Sequence, residues 1–173
     1  RDKKKGRKGR YLIAGGLLLI AAALCLTVFN IGDDWRAGRE AGQILAEMEK
    51  GMEEDEKNAA GENGADADGQ ALAVIPVDGN SYMGVLEIPD LDLTLPVMAD
   101  WSYPKLRVAP CRYMGSAEEG NLIIAGHNYD RHFGRLKNLQ AGDGVIFTDV
   151  EGNRYEYGVE EVLTLEGTAV EEM

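Results

Sequence analysis

The sequence predicts a mainly β domain carried behind a single transmembrane helix, and three observations lead there. Residues 11–31 form an apolar run without a charged side chain. A stretch rich in Gly, Ala, Asp and Asn, without large apolar residues, follows near residues 58–70. Beyond it, apolar residues recur with period two in short segments broken by Gly, Pro, Asn and Asp, the pattern of half-buried strands and turns.

The charge distribution sets the topology. The formal net charge is -12, yet residues 1–10 hold seven Lys/Arg against Asp2, so the rest of the chain carries -18. Basic residues confined to one short run beside an apolar segment exclude a folded nucleic-acid-binding face and fit a membrane flank. The length of residues 11–31 matches the roughly 20 residues a helix needs to cross the hydrocarbon core. Arg1, Lys3, Lys4, Lys5, Arg7, Lys8 and Arg10 precede the run and Asp33 and Asp34 follow it, so residues 1–10 are expected in the cytoplasm and the remainder outside. A cleaved signal peptide is the competing reading. The run exceeds the usual apolar core of such peptides, and Val28-Phe29-Asn30 stands where a small-x-small cleavage site would be.

Residues 32–57 are expected as a solvated stalk helix, because Ala41, Ile44, Leu45, Met48 and Met52 recur at helical spacing among Glu40, Glu47, Glu49 and Lys50. Gly51 interrupts a narrow stripe, which weakens a partner-binding alternative. Residues 58–80 are expected as a flexible linker, since residues 58–70 cannot offset their ordering entropy by apolar burial. The folded domain is then residues 81–173.

Within it, residues 82–88 read as a strand, Pro89-Asp90 as a turn, and Leu91, Leu93, Leu95 and Val97 as the buried side of a second strand. Asp100 is the expected cap of a short helix through Leu106. The continuous apolar run of residues 121–125 suits a central, fully buried strand that Gly126 ends. Phe133, Leu136 and Leu139 form one face of a second short helix, stopped by residues 141–144. A strand over residues 145–149 turns at Glu151-Gly152-Asn153 into one reaching about Leu165. By class this is a barrel or sandwich with two short helices.

The candidate chemistry centres on His127, at the junction of an apolar strand and the polar loop Asn128-Tyr129-Asp130-Arg131. Imidazole titrates nearest neutrality, so one fixed at a strand end can exchange a proton in acyl transfer; a histidine satisfied by local hydrogen bonds is the plainer alternative. His132 fits that plainer description. The cysteines, Cys25 within the apolar run and Cys111, are too far apart to suggest a disulfide framework or zinc site. Nothing around Cys111 indicates a lowered thiol pKa, and Arg107 and Arg112 read as surface residues. The acidic pairs Glu118-Glu119 and Glu171-Glu172 lack the spaced ligands and loop glycine of a calcium site.

The segment Gly120-Asn121-Leu122-Ile123-Ile124-Ala125-Gly126-His127-Asn128, with Phe133-Gly134-Arg135-Leu136-Lys137-Asn138-Leu139 and Gly142-Asp143, resembles the histidine block of sortases. Val85-Leu86-Glu87-Ile88-Pro89 and Leu93-Thr94-Leu95-Pro96-Val97 resemble that family's opening strands, and Tyr113-Met114-Gly115-Ser116 the segment before its histidine strand. The likeness runs from about Ser81 to Leu165.

That resemblance implies a β-barrel holding a cysteine nucleophile, a histidine and an arginine, tethered outside a Gram-positive cell. Such an enzyme cleaves a sorting signal through a thioester and joins surface proteins to a peptidoglycan precursor or another amine acceptor. His127 alone maps onto the pattern, as general acid/base. No Thr-Leu-x-Thr-Cys strand or following arginine strand precedes Met173, so the cysteine and arginine are expected beyond it and the barrel is expected to be incomplete. No cofactor or metal is implied. A class B or D affinity is expected instead of the pilus-building class, because no aromatic lid motif precedes Ser81. The rival reading is a membrane-tethered β-domain, without catalysis, that binds a wall component or partner protein.

Overall fold

The computed structural model describes residues 3–58, 63–65 and 71–164, divided into two units between Arg36 and Ala37. Helix α1, Lys3–Asn58, contributes to both. In the first unit, every side chain from 11 to 31 is exposed although nearly all are apolar. The Thr27 hydroxyl donates to the Ala23 carbonyl at 2.9 Å, so this polar group is satisfied inside the helix. The helical stretch Tyr11–Met52 contains a window of mean hydropathy 2.6 and is long and apolar enough to cross a membrane by length and composition.

In the second unit, Ala37, Ala41, Ile44 and Met48 on α1 are buried. Their spacing of four, three and four places them on one face. The segment expected as a solvated stalk therefore has a docked side. Ile44 and Met48 pack with Ile75, Val77, Tyr82, Met98, Ala109 and Cys111, residues that sequence periodicity could not assign to a common surface.

Two short strands, β1 (Asn63–Ala65) and β2 (Ala71–Ala73), pair antiparallel within the stretch expected as linker. Strand β3, Ile75–Val77, turns through Asp78 and Gly79 into β4, Asn80–Ile88. Both turn residues have positive φ, 49° and 76°, as a two-residue hairpin of Asp-Gly type requires. Ordered structure thus starts before residue 81, and Asp78-Gly79 was the available signal.

The main sheet has the order β7-β6-β5-β4-β8-β9, with β3 on β4. Its remaining strands are β5 (Leu93–Met98), β6 (Cys111–Met114), β7 (Ile123–Ala125), β8 (Gly144–Asp149) and β9 (Arg154–Gly158). Pairing is antiparallel except between β5 and β6. The crossover between those two holds helix α2, Tyr103–Leu106, whose cap is Ser102, accepting from the Lys105 N–H at 3.3 Å. Asp100, the expected cap, instead pairs with the Lys105 ammonium at 2.6 Å.

A bulge between Tyr82 and Gly84 changes the facing of β4. Tyr82 and Val85 join the cluster that holds Ile44 and Met48 of α1, whereas Met83, Leu86 and Ile88 join a second cluster with Leu93, Leu95, Val97, Phe147 and Ala41 of α1. Alternation lets one strand supply both layers, and the extra residue reverses the side-chain phase, so Tyr82 and Val85 share one layer while Met83, Leu86 and Ile88 share the other.

The expected turn at Pro89-Asp90 is a 3₁₀ turn, Pro89–Leu91, closed by Asp92 at φ 47°. Phe133–Asn138, expected as a helix, is also 3₁₀. Residues 121–125 do not form a central strand: β7 is three residues long and pairs only with β6 among the described residues. Strand β9 stops at Gly158, short of the expected Leu165, which lies outside the described residues. Strands β7 and β9 end the sheet without pairing with each other among those residues, leaving a mainly β half-barrel.

Candidate active site

His127 follows β7 by two residues, and the chain beyond it folds back on itself. The His127 carbonyl accepts from Phe133 N–H at 3.1 Å, and the Tyr129 carbonyl accepts from His132 and Gly134 N–H at 2.9 Å each. This closure needs Gly126, because a Cβ there would collide with the Phe133 ring. Backbone hydrogen bonds and one ring therefore fix the base of the imidazole.

The His127 ring stacks on Tyr129, with centroids 3.8 Å apart and planes 19° from parallel. Tyr129 in turn meets His132 at 5.5 Å and 68°. His132 is fully buried, so it is an internal packing residue at the entry to the 3₁₀ segment. His127 Nδ1 is buried and has no hydrogen-bond partner among the described residues.

Beside this loop lies an apolar groove of about 290 Å³, lined by Leu86, Ile88, Leu122, Ile124, Phe133 and Leu136 among others. Phe133 both lines it and contacts Gly126, so the groove adjoins the chain segment bearing His127. The arrangement places the loop that carries an imidazole beside a surface suited to an apolar chain.

Cys111 cannot serve as a nucleophile here. It is buried under α1 with its Sγ 3.4 Å from the Ala109 carbonyl, and burial pushes its thiol up to about 11. Cys25 lies on the apolar part of α1. Arg112, expected at the surface, is half-buried and donates from Nε to Ala99 O and from Nη1 to Gly115 O, each at 3.0 Å. It braces the β5–β6 region. Arg135 donates to the Leu91 carbonyl and ties the 3₁₀ segment to the turn after β4. The Glu119 carboxylate accepts from Asn121 Nδ2 at 3.0 Å, while Glu171 and Glu172 lie outside the described residues. No group of three or more His, Cys, Asp and Glu able to hold a metal occurs among the described residues.

The decisive comparison is with family models: residues 86–172 match the sortase domain, and this span holds β5 through β9, the His127 loop and the groove. The chain belongs to the sortase family. Sortases are cysteine transpeptidases. This sortase is 28% identical over 151 residues to sortase A of Staphylococcus aureus, covering 83% of this chain and 69% of that protein. Among solved structures it is similar to sortase C1 of Streptococcus agalactiae, with TM-score 0.48 and 23% identity, covering 57% of this chain. It spans about half, 54%, of that structure's length. It is also similar to the sortase D5 transpeptidase of Clostridium perfringens, with TM-score 0.43 and 14% identity over 71% of each chain.

Neither the His127–Tyr129 stack nor the α1 dock was found from the sequence. The stack joins two loop residues whose facing no periodicity predicts, although the dock left its signal in the stripe Ala41, Ile44 and Met48.

Proposed function

We propose that this sortase is a membrane-anchored transpeptidase that cleaves a C-terminal sorting signal and attaches surface proteins to peptidoglycan precursor or another amine acceptor. In this reading residues 1–10 are cytoplasmic, residues 11–31 span the membrane and the sheet lies outside; the basic flank and hydropathy support that topology. The single observation that carries the enzymatic reading is His127, held by a closed loop next to an apolar groove within a sortase domain.

The chemistry follows from those parts. A cysteine thiolate of the full-length enzyme attacks the scissile carbonyl and forms a thioester as the carbon–nitrogen bond breaks. His127 protonates the departing amine. It then takes a proton from the incoming amine, which displaces the thiolate and forms the new amide. The groove receives the apolar part of the signal. A class B or D affinity remains part of the proposal, resting on the absence of an aromatic lid motif before Ser81.

The test uses full-length protein and a fluorescence-quenched peptide copied from a sorting signal encoded in the same genome. Wild type should cleave it and transfer the acyl fragment to an added amine, while His127→Ala should do neither. An active His127→Ala variant refutes the role. The second reading, a tethered binding domain, draws on the burial of Cys111. Reading the gene past Met173 separates the two: a Thr-Leu-x-Thr-Cys strand supports the enzyme, and its absence supports the binding domain.

A further inference from the structure

General bases are commonly oriented through the second ring nitrogen by a hydrogen bond to a third group. In this chain that device is not visible, because His127 Nδ1 is buried without a hydrogen-bond partner among the described residues. Backbone closure fixes the Cα of His127 but does not by itself set its two side-chain torsions.

The contact that does constrain the ring is the Tyr129 face, 3.8 Å away and 19° from parallel. A stacked ring blocks tilting out of plane while leaving the imidazole edge open for proton exchange. Tyr129 is itself held, because its ring meets the fully buried His132 and its carbonyl accepts from both His132 and Gly134 N–H. The order of support runs from His132 to Tyr129 to His127. A π face also attracts the imidazolium that forms each time the ring accepts a proton.

We propose that Tyr129 is a positioning residue that sets the orientation of the His127 imidazole by stacking. This rests on the reading of His127 as the general acid/base. The function requires an aromatic face at position 129 and no hydroxyl.

Tyr129→Phe keeps the face, whereas Tyr129→Leu keeps apolar bulk without it. Full-length protein with labelled histidines, in detergent micelles, gives the ring-proton resonances of His127, with a thermal melt reporting an intact fold. Cleavage kinetics use the quenched sorting-signal peptide with hydroxylamine as acceptor. In Tyr129→Phe the ring-current displacement of the His127 resonances should persist, with kcat within about twofold of wild type. In Tyr129→Leu the displacement should vanish and kcat fall roughly tenfold or more with KM little changed, as for a misplaced catalytic group.

A Tyr129→Leu variant with wild-type kcat overturns the proposal, as does equal loss in the Phe and Leu variants. His127→Ala, assayed alongside, separates the two levels. If it stays active, the general acid/base reading itself fails; if it is inactive while Tyr129→Leu is normal, only the positioning role fails.

Discussion

The Tyr129 ring lies flat against the His127 imidazole, and this pair of loop residues is seated on a glycine that admits the Phe133 ring from below. Gly126→Ala should therefore disturb the site from its base. The added Cβ must displace the Phe133 ring, a small-to-large change expected to cost about 1–3 kcal/mol. A thermal melt should show that loss, and peptide cleavage should fall further than stability alone explains.

Substitutions at His127 and Cys111 make opposite predictions. His127→Ala should abolish cleavage by the full-length enzyme with little change in melting temperature. Cys111→Ala should retain cleavage, because its thiol lies under α1 and away from solvent. Its cost should be structural, on the order of 1 kcal/mol for a small cavity. The reverse pattern in a paired activity and denaturation assay would overturn the assignment.

Alkaline pH should weaken the domain. Burial pushes the Tyr82 hydroxyl up to about 12, with the neighbouring Cys111 thiol adding to the shift, and burial pushes Cys111 itself up to about 11. Both groups are neutral in the fold at pH values where the unfolded chain has begun to ionise. The unfolded state then binds fewer protons, so stability is fully present below the ordinary thiol value of 9.0 and declines as pH rises towards about 12. Denaturant titrations from pH 8 upward should show the slope, and Tyr82→Phe and Cys111→Ala should each flatten it.

Met48 is fully buried against the sheet, so α1 is part of the fold beyond residue 36. Met48→Ala should cost about 2–5 kcal/mol in a chemical melt. A fragment of residues 71–173 loses that cover over Tyr82, Met98 and Cys111 and keeps the β7 and β9 edges, which do not pair with each other among the described residues. It should associate or melt without cooperativity. A monomeric, cooperative transition would contradict this.

Some elements were legible because their cause is local. Leu93, Leu95 and Val97 alternate with Thr94 and Pro96, and β5 forms there with those residues facing one core. The apolar run of residues 11–31 is helical throughout and, by length and composition, apolar enough to cross a membrane. Other elements turned on choices between near equals. Ser102 and Asp100 are both good caps two residues apart, and the structure uses Ser102 while Asp100 pairs with Lys105. Residues 122–125 are apolar on both faces, which suits burial on two sides, but that pattern does not specify how many neighbours a strand receives.

By itself the sequence determined the apolar anchor-like helix, the sequential strands and the placement of His127 just beyond one of them, because hydropathy, period and turn chemistry act over a few residues. Tertiary structure alone decided that Ile44 and Met48 of α1 pack with Tyr82, Met98 and Cys111, that a bulge beside Tyr82 shifts the side-chain phase of β4, and that Tyr129 lies on His127. Those outcomes depend on surfaces assembled from segments far apart in the chain, or on loop rotations that no periodicity encodes.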